Sequence, residues 1–246
     1  MQRILVAGGS GYIGFHLYSQ LEKQSSVTSI DFDDGPSEKV CINLDLTDIN
    51  QVKDFAYNCA HFDVLIFLVG LAHAKGKGKD LPEFKKVNYQ TLVNFLSALE
   101  NNNKIPHKII FSSTISVYGE KYHQSIYMED SVKMPFSPYA VTKLEAEQYL
   151  LDIYSDKSWI LRFAPVYSSE FLLNINRRIR MGGKFYRVGK GSRKLSLCNI
   201  ENIRVAVEAI IKDKVPAGIY NLSDPKEYTY DELLQWQKAK LVLYIP

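Results

Sequence analysis

Residues 4–14 read ILVAGGSGYIG, and this stretch decides the fold. A short apolar run, typical of a buried strand, leads directly into glycines at positions 8, 11 and 14. Gly8 permits a tight turn out of the strand, Gly11 lets the backbone approach a ligand, and Gly14 lets the next helix lie close to the sheet. That helix would offer N–H groups and a partial positive charge at its N-terminus. The spacing therefore predicts a strand–loop–helix unit that binds the pyrophosphate of a dinucleotide.

Further along the chain, short apolar runs alternate with longer helical patterns. The runs are continuously apolar, which is typical of strands buried on both faces. Strand candidates are 3–7, 27–31, 40–44, 63–69, 108–113 and 159–163, and helix candidates lie near 12–23, 48–58, 83–101, 138–154 and 170–181. The alternation predicts an α/β fold with a doubly wound (Rossmann) parallel sheet. It loosens after about residue 165, so we predict a dinucleotide-binding domain over 1–165 and a smaller, interleaved C-terminal lobe over 166–246.

The composition excludes several classes of protein. The chain has 246 residues, of which 46% are hydrophobic and 23% charged, as in ordinary globular domains. A net charge of +3 and the lack of a basic stripe with interleaved aromatics argue against nucleic acid as a partner. The densest basic cluster, RRIR at 177–180, is interpreted as a solvated helix face. No apolar run is long enough to span a membrane.

The cysteines and histidines indicate neither disulfides nor a metal site. The three cysteines are scattered without a CxxC spacing, which favours reduced thiols in a cytoplasmic protein. The N-terminal apolar run is too short for a signal peptide, which also favours a cytoplasmic location. The five histidines show no metal-ligand spacing, so we predict no metal.

One acidic residue favours NAD over NADP as the dinucleotide, and a second lies where the adenine is expected. Asp31 ends the second strand candidate, 17 residues past Gly14, where a carboxylate accepts from both ribose hydroxyls and repels a 2′-phosphate. No arginine or lysine follows until Lys39. Asp45 ends the next strand candidate, where the adenine would lie, and Asp48 has the pattern of a helix N-cap.

The stretch SPYAVTKLEAE at 137–147 contains a candidate acid–base pair. Tyr139 and Lys143 are four residues apart and so share one helix face. A tyrosine has a pKa near 10 and is a poor base at neutral pH, but a neighbouring ammonium and a positive nicotinamide would favour the phenolate. The pair would then remove a proton from a sugar or alcohol hydroxyl while hydride leaves for the cofactor.

Together these motifs resemble the extended short-chain dehydrogenase/reductase superfamily. GGSGYIG, Asp31, NLDLTD, SSTISVYG, YAVTK and LRFAPVY occur in the order and spacing of its NAD-dependent nucleotide-sugar epimerase/dehydratase branch, over roughly residues 2 to 235. The resemblance, which is to proteins like UDP-glucose 4-epimerase, implies Thr114, Tyr139 and Lys143 as catalytic residues. It implies NAD-binding residues Gly8, Gly11, Tyr12, Ile13, Gly14, Asp31, Asp45, Leu46, Asn88, Ser112, Tyr139 and Lys143.

The residues after Thr114 narrow the reaction that the resemblance implies. The family's 4,6-dehydratases carry an Asp-Glu pair there and its decarboxylases a glutamate, whereas this chain has Ile115 and Ser116. Dehydration and decarboxylation are therefore disfavoured. What remains is epimerisation at C4 of a nucleotide-linked sugar, with UDP expected from the family, or reduction of a keto-sugar. A non-catalytic dinucleotide-binding regulator is the alternative from another class.

The resemblance also implies that the C-terminal lobe binds the nucleotide-sugar and that the protein forms a homodimer. Residues 184–203 resemble the family's nucleotide-sugar segment, which implies Phe185 or Tyr186 against the base and Arg193 or Lys194 at the diphosphate. Family members commonly exceed 300 residues, so we expect a shortened lobe. In the family, helices like those near 83–101 and 138–154 form a dimer interface, and we expect a homodimer.

Overall fold

The structure is a computed structural model that describes residues 1–32, 41–72, 80–119, 126–192 and 194–245. The strands are β1 (Arg3–Ala7), β2 (Ser26–Asp31), β3 (Ile42–Asn43), β4 (Val64–Phe67), β5 (Lys108–Thr114), β6 (Ser158–Phe163), β7 (Val166–Tyr167), β8 (Arg180–Met181), β9 (Lys184–Val188), β10 (Lys194–Leu195), β11 (Cys198–Asn199), β12 (Gly218–Leu222), β13 (Tyr228–Thr229) and β14 (Val242–Ile245). The helices are α1 (Tyr12–Leu21), α2 (Ile49–Asn58), α3 (Leu81–Lys85), α4 (Thr91–Asn101), α5 (Pro138–Tyr154), α6 (Leu173–Ile179), α7 (Ile200–Ile211) and α8 (Tyr230–Trp236).

Seven strands form one central sheet in the order β12-β6-β5-β4-β1-β2-β3. The pairs β1–β2, β2–β3, β1–β4 and β4–β5 are parallel, which confirms the predicted doubly wound fold. β4, β5 and β6 are buried along their whole length, as continuous apolar runs require. The order of the strands reverses at β1, and doubly wound sheets bind ligands beyond the carboxyl ends of the strands at such a point.

The chain divides into two compact units. The first comprises 1–162 and 207–220, and the second comprises 163–206 and 221–246. In the second unit, β7 pairs with β11, β10 with β13, and β9 with both β8 and β14. A small core lies beneath these strands, formed by Ile175, Ile179, Leu197, Tyr230, Leu233 and Leu234.

The predicted N-cap Asp48 agrees with the structure, and two predicted helices differ from it. Asp48 caps α2 by accepting from the backbone N–H groups of its first turn, and Thr229 caps α8 in a reciprocal capping box. The helix predicted near 170–181 is the shorter α6, because Arg180 and Met181 form β8. The helix predicted near 83–101 is interrupted by a π-helical turn at Lys86–Gln90, between α3 and α4. This turn carries Asn88, whose buried contacts are described below.

Candidate active site and dinucleotide cradle

The glycine loop between β1 and α1 has close contacts that side chains would obstruct. Gly8 has a φ of +89°, which favours glycine, and its N–H donates to Ile30 O at 2.9 Å. A Cβ on Gly14 would lie 2.2 Å from the carbonyl oxygen of Gly8. These contacts hold the start of α1 against the end of β1, as the spacing predicts.

The N-terminus of α1 offers its charge to a ligand. Gly11 is the N-cap, no side chain caps this end, and no acidic residue lies in the first turn, which contains Tyr12, Ile13 and Gly14. The partial positive charge of the helix is therefore not neutralised from within its own turn, and the loop fits a pyrophosphate.

Asp31 connects this loop to the end of β2. Its Oδ2 accepts from the Ser10 backbone N–H at 3.1 Å and from the Ser10 hydroxyl, while its Oδ1 accepts from Phe32 N at 2.8 Å. A carboxylate has about four acceptor positions. The described residues occupy three of them, which leaves one place on Oδ1 for a ribose hydroxyl. The N–H donors of the loop and the acceptor on Asp31 together fit NAD. Lys39 lies outside the described residues.

Asp45 and Leu46 shape the turn before α2. The Asp45 Oδ1 accepts from Thr47 N at 2.8 Å, and its N–H donates to the Gln51 side chain at 3.1 Å. Leu46 is buried in the main core. Their contact with adenine stays a prediction.

Thr114 and Tyr139 meet at the carboxyl end of β5. Thr114 Oγ1 accepts from Ser116 N at 3.2 Å, so its own proton is available for the hydrogen bond that it makes with the Tyr139 phenol. Burial raises the pKa of Tyr139 to about 12, and the Thr114 hydrogen bond acts in the opposite direction. Burial is the larger of these two effects on the phenol. That the Lys143 ammonium and a positive nicotinamide together favour the phenolate stays a prediction.

Lys143 is enclosed between the ends of two strands. Its side chain is buried, and its Nζ donates to Ser112 O at 3.0 Å and to Val69 O at 3.3 Å. The ammonium also lies 4.7 Å from the Phe111 ring centroid. Burial lowers the pKa of Lys143 to about 7, while the carboxylate of Glu147 acts to raise it. Ser112 thus contributes its carbonyl group to the position of Lys143.

Asn88 holds the segment after β4 against α5. It is fully buried; its Oδ1 accepts from Leu71 N at 2.5 Å, and its Nδ2 donates to Leu71 O at 3.3 Å and to Thr142 Oγ1 at 3.1 Å. A Cβ on Gly70, next to this anchor, would lie 3.0 Å from Lys143 Nζ. Asn88 therefore positions the backbone that receives Lys143, while its predicted contact with NAD stays a prediction.

A buried ion pair lies next to β5, and our sequence analysis did not find it. Arg162 NH2 lies 2.6 Å from Glu147 Oε2, and both side chains are almost fully buried. The Ser113 hydroxyl hydrogen-bonds to Glu147, and Arg162 NH1 donates to the Tyr118 hydroxyl at 2.8 Å. The pair thus joins β5, α5 and β6. Its signal was an arginine inside the apolar run at 159–163.

The predicted substrate residues lie in the second unit. Phe185 and Tyr186 are on β9, where Phe185 packs against the small core and under Arg180, whose Cζ lies 4.0 Å from the ring centroid. Lys194, on β10, forms an ion pair with Glu227 at 2.6 Å. Arg193 lies outside the described residues.

The described residues were searched for membrane-spanning helices and for metal-binding clusters. Among them, no helix is both long and apolar enough to cross a membrane. The same part of the chain contains no group of three or more histidine, cysteine, aspartate or glutamate side chains arranged to hold a metal ion.

Replacing Lys143 by methionine should raise the free energy of unfolding, most strongly below pH 7. The unfolded chain keeps the lysine protonated up to a pKa near 10.5, whereas the folded protein releases that proton near 7. Between these values the unfolded state binds more protons, so the stability of the wild type rises with pH by up to about 1.4 kcal/mol per unit, and the advantage of Lys143→Met shrinks. Urea unfolding between pH 6 and 10 measures this. Lys86→Met, at an exposed site, is the control, and a pH-independent advantage of Lys143→Met would contradict the prediction.

Gly11→Ala should weaken dinucleotide binding while leaving the fold stable. Gly11 has a φ of −68°, and a Cβ there would meet only Gly8 O, at 3.3 Å, so the protein accommodates it with a small shift. A ligand pressed against the loop would not, and overpacking of about 1–3 kcal/mol lowers its affinity about 5- to 150-fold. NAD titrations and thermal unfolding test this together. Gly14→Ala should lower both the NAD affinity and the thermal stability. A Gly11→Ala protein with wild-type NAD affinity would show that the dinucleotide does not approach the backbone closely at Gly11.

The chain resembles known nucleotide-sugar enzymes in sequence and structure. YtcB of Bacillus subtilis, named an uncharacterised UDP-glucose epimerase, is 30% identical over 184 residues, covering 67% of this chain and 57% of YtcB. The bifunctional UDP-glucose 4-epimerase and UDP-xylose 4-epimerase 3 of Arabidopsis thaliana is 30% identical over 192 residues, covering 69% and 54%. The UDP-Glc/GlcNAc 4-epimerase of Campylobacter jejuni superimposes with a TM-score of 0.83 at 20% identity, covering 100% of this chain and 87% of that one.

A match to a protein-family model shows the family of this chain. The model of the NAD dependent epimerase/dehydratase family matches residues 4–223, and the protein belongs to this family. Its cofactor is accordingly NAD, which agrees with the fit of the loop and Asp31. The chain spans little more than half the length of the curated relatives described above.

Proposed function

We propose that this protein epimerises a nucleotide-linked sugar, with UDP as the nucleotide, at C4 in an NAD-dependent reaction. The observation that carries the proposal is the hydrogen bond between Thr114 and Tyr139 at the carboxyl end of β5, with Lys143 one helical turn away. A protein that only binds a dinucleotide has no need of a buried phenol and hydroxyl in contact. The names of the relatives support the sugar class.

Tyr139 is the group that moves the proton. Its phenol would take the proton of the sugar C4 hydroxyl and later return it, while Thr114 hydrogen-bonds the same hydroxyl. The glycine loop and Asp31 would hold NAD, which would supply the hydride acceptor, and later the hydride donor, for C4. Because the protein alone holds the pKa of Tyr139 near 12, we expect the phenol to act as a base only when positive charge lies beside it.

The residues that follow Thr114 support epimerisation over elimination. Ile115 and Ser116 form the 3-10 turn after β5, and neither side chain is a carboxylic acid. An elimination would need a proton to be removed at a second carbon and a leaving hydroxyl to be protonated. These two positions provide neither group, so the proposal excludes dehydration.

Bound cofactor and product analysis test the proposal. Freshly purified protein is denatured and its released dinucleotide quantified; we expect near-stoichiometric NAD. UDP-glucose, UDP-galactose and their N-acetylated forms are then followed by proton NMR, and we expect interconversion at C4 without net consumption of NADH. Stoichiometric oxidation of NADH or NADPH with a keto-sugar would indicate a reductase instead. Bound NAD without conversion of any nucleotide sugar would favour a regulator.

A further inference from the structure

Lys143 and Glu147 lie one turn apart on the same face of α5, and both are buried. Only 2% of Lys143 and 1% of Glu147 is exposed. No direct ion pair joins them within the described residues, because Lys143 donates to two backbone carbonyl groups and Glu147 accepts from Arg162. The helix thus places an ammonium and a carboxylate side by side in the interior, each with partners of its own.

Two successive serines of β5 contact these side chains. The Ser112 carbonyl accepts from Lys143 Nζ at 3.0 Å, and the Ser113 hydroxyl donates to the Glu147 carboxylate. Both serines directly precede Thr114, the residue that meets the phenol at the end of the strand. Glu147 therefore connects α5 to β5 one residue before the candidate site.

Three hydrogen bonds hold the Glu147 carboxylate in place. Arg162 Nε donates to Oε1 at 3.0 Å, Arg162 NH2 donates to Oε2 at 2.6 Å, and the Ser113 hydroxyl makes the third bond. A buried carboxylate needs such partners, because water does not reach it. Glu147 is therefore a negative charge with a fixed position.

The groups around Lys143 are otherwise neutral or positive. Its own contacts are two backbone carbonyl groups and one aromatic ring. Tyr139, one turn earlier on the same face, is a phenol whose pKa burial raises to about 12, and Arg162, beyond Glu147, is a cation. Within the described part of the chain, Glu147 is the opposite charge that acts on the ammonium.

We infer that Glu147 is a positioning residue of the active site, which holds the end of β5 through Ser113 and balances the charge of the Lys143 ammonium. This inference rests on the proposed function, in which Tyr139 acts as a base only when positive charge lies beside it. A residue that served only the stability of the fold would leave the protonation of Lys143 unchanged.

NMR of protein labelled with [ε-13C]lysine measures that protonation in the NAD-containing protein. Ordinary lysines titrate near 10.5, so a lysine with a midpoint of about 7 stands apart, and its absence from the Lys143→Met spectrum assigns it. The double replacement Glu147→Leu with Arg162→Met removes the carboxylate without leaving an unpaired charge from the ion pair. The Lys143 midpoint should then fall by about one pH unit or more, because a nearby opposite charge shifts a pKa by about 1–3 units.

Glu145→Gln is the matched control for this titration. It removes the same charge from the same helix, at a position that is substantially exposed. Water screens such a charge, so the Lys143 midpoint should stay within about 0.3 pH units of the wild type. NAD content and thermal unfolding, measured on the same samples, show whether each variant is folded.

Turnover at C4 connects the charge to the reaction. A midpoint one unit lower leaves about tenfold less protonated Lys143 at pH 8, so the kcat of the double variant should be about tenfold below the wild type there. The ratio of the two kcat values should approach one towards pH 5, where both proteins keep the lysine protonated. A loss of the same size at every pH would contradict the charge-balancing role.

Ser113→Ala is a milder variant that tests the hold on β5. It should lower kcat about tenfold with KM within about twofold, because Thr114 is no longer fixed against the phenol. Ser158→Ala is its control, since this hydroxyl on β6 is also buried but has no hydrogen-bond partner among the described residues. It should have wild-type kcat.

The outcomes separate this inference from the proposed function. An unchanged Lys143 midpoint in the folded double variant, or an equal shift in Glu145→Gln, would overturn the inference and leave the proposed function standing. If the double variant does not fold, wild-type kcat in Ser113→Ala would overturn it. Wild-type protein that holds NAD but converts no nucleotide sugar would overturn both.

Discussion

Tyr139→Phe should lower kcat for C4 interconversion by about 10²- to 10⁴-fold, which is the usual contribution of a positioned acid–base group. The change removes one oxygen atom and leaves the ring in place, so the fold should persist. The glycine loop and Asp31 are untouched, and bound NAD should therefore remain at the wild-type level. Turnover is measured by NMR at a known enzyme concentration.

The matched control is Tyr57→Phe, which removes the same hydroxyl from a side chain on α2 that is 73% exposed. It should have wild-type turnover and wild-type NAD content. If Tyr139→Phe were as active as Tyr57→Phe, the phenol could not be the proton carrier. The contact between Thr114 and Tyr139 would then be structural, and the proposed mechanism would fail.

Glu147→Gln should lower the free energy of unfolding by about 3–5 kcal/mol, because it leaves Arg162 as an uncompensated buried charge. Arg162 has 0% and Glu147 1% of its side-chain surface exposed, so water cannot replace the lost partner. For a chain of this size the loss corresponds to a fall of about 6–20 °C in Tm. Urea unfolding with a common m value is the appropriate measurement.

Glu145→Gln provides the control on the same helix. Glu145 pairs with Lys85 at 3.1 Å, but both side chains are substantially exposed, and such pairs contribute at most about 1 kcal/mol. The double replacement Glu147→Leu with Arg162→Met should recover most of the lost stability, because no unpaired charge remains. If Glu145→Gln and Glu147→Gln lowered the free energy of unfolding by equally small amounts, burial would not determine how much the Arg162–Glu147 pair contributes to stability.

The sequence was sufficient to predict six of the seven strands of the central sheet, of which β4, β5 and β6 are continuously apolar runs buried along their whole length. The seventh, β12, is only partly buried and was not among the strand candidates. The runs at 3–7, 27–31, 108–113 and 159–163 agree with β1, β2, β5 and β6 to within one residue at either end. The run at 40–44 forms only the two residues of β3 within the described part of the chain. Beyond residue 165 the strands are short, and β14 pairs with β9 across a long stretch of sequence, so no local periodicity indicates them.

The residues of the candidate site that belong to sequence motifs were predictable. The features that depend on burial, such as pKa shifts and buried ion pairs, were less so. Thr114 and Tyr139 meet because the strand and the helix that carry them each belong to a recognisable pattern. The direction of the Tyr139 pKa was not predictable, because desolvation depends on the surrounding fold. Glu147 and Arg162 are ordinary charged residues until the sheet places them together, although an arginine in an apolar run already requires a buried partner.

The π-helical turn at Lys86–Gln90 has a consequence for how this chain tolerates insertions and deletions. A π-helical turn accommodates about one more residue than an α-helical turn, and each residue rotates a helix by about 100°. Removing one residue here would restore regular winding but would turn Asn88 away from Leu71 and Thr142. The irregularity thus sets the rotational phase between α3 and α4. A sequence with regular α-helical winding at this point would need a one-residue gap here to keep its equivalent of Asn88 in the interior.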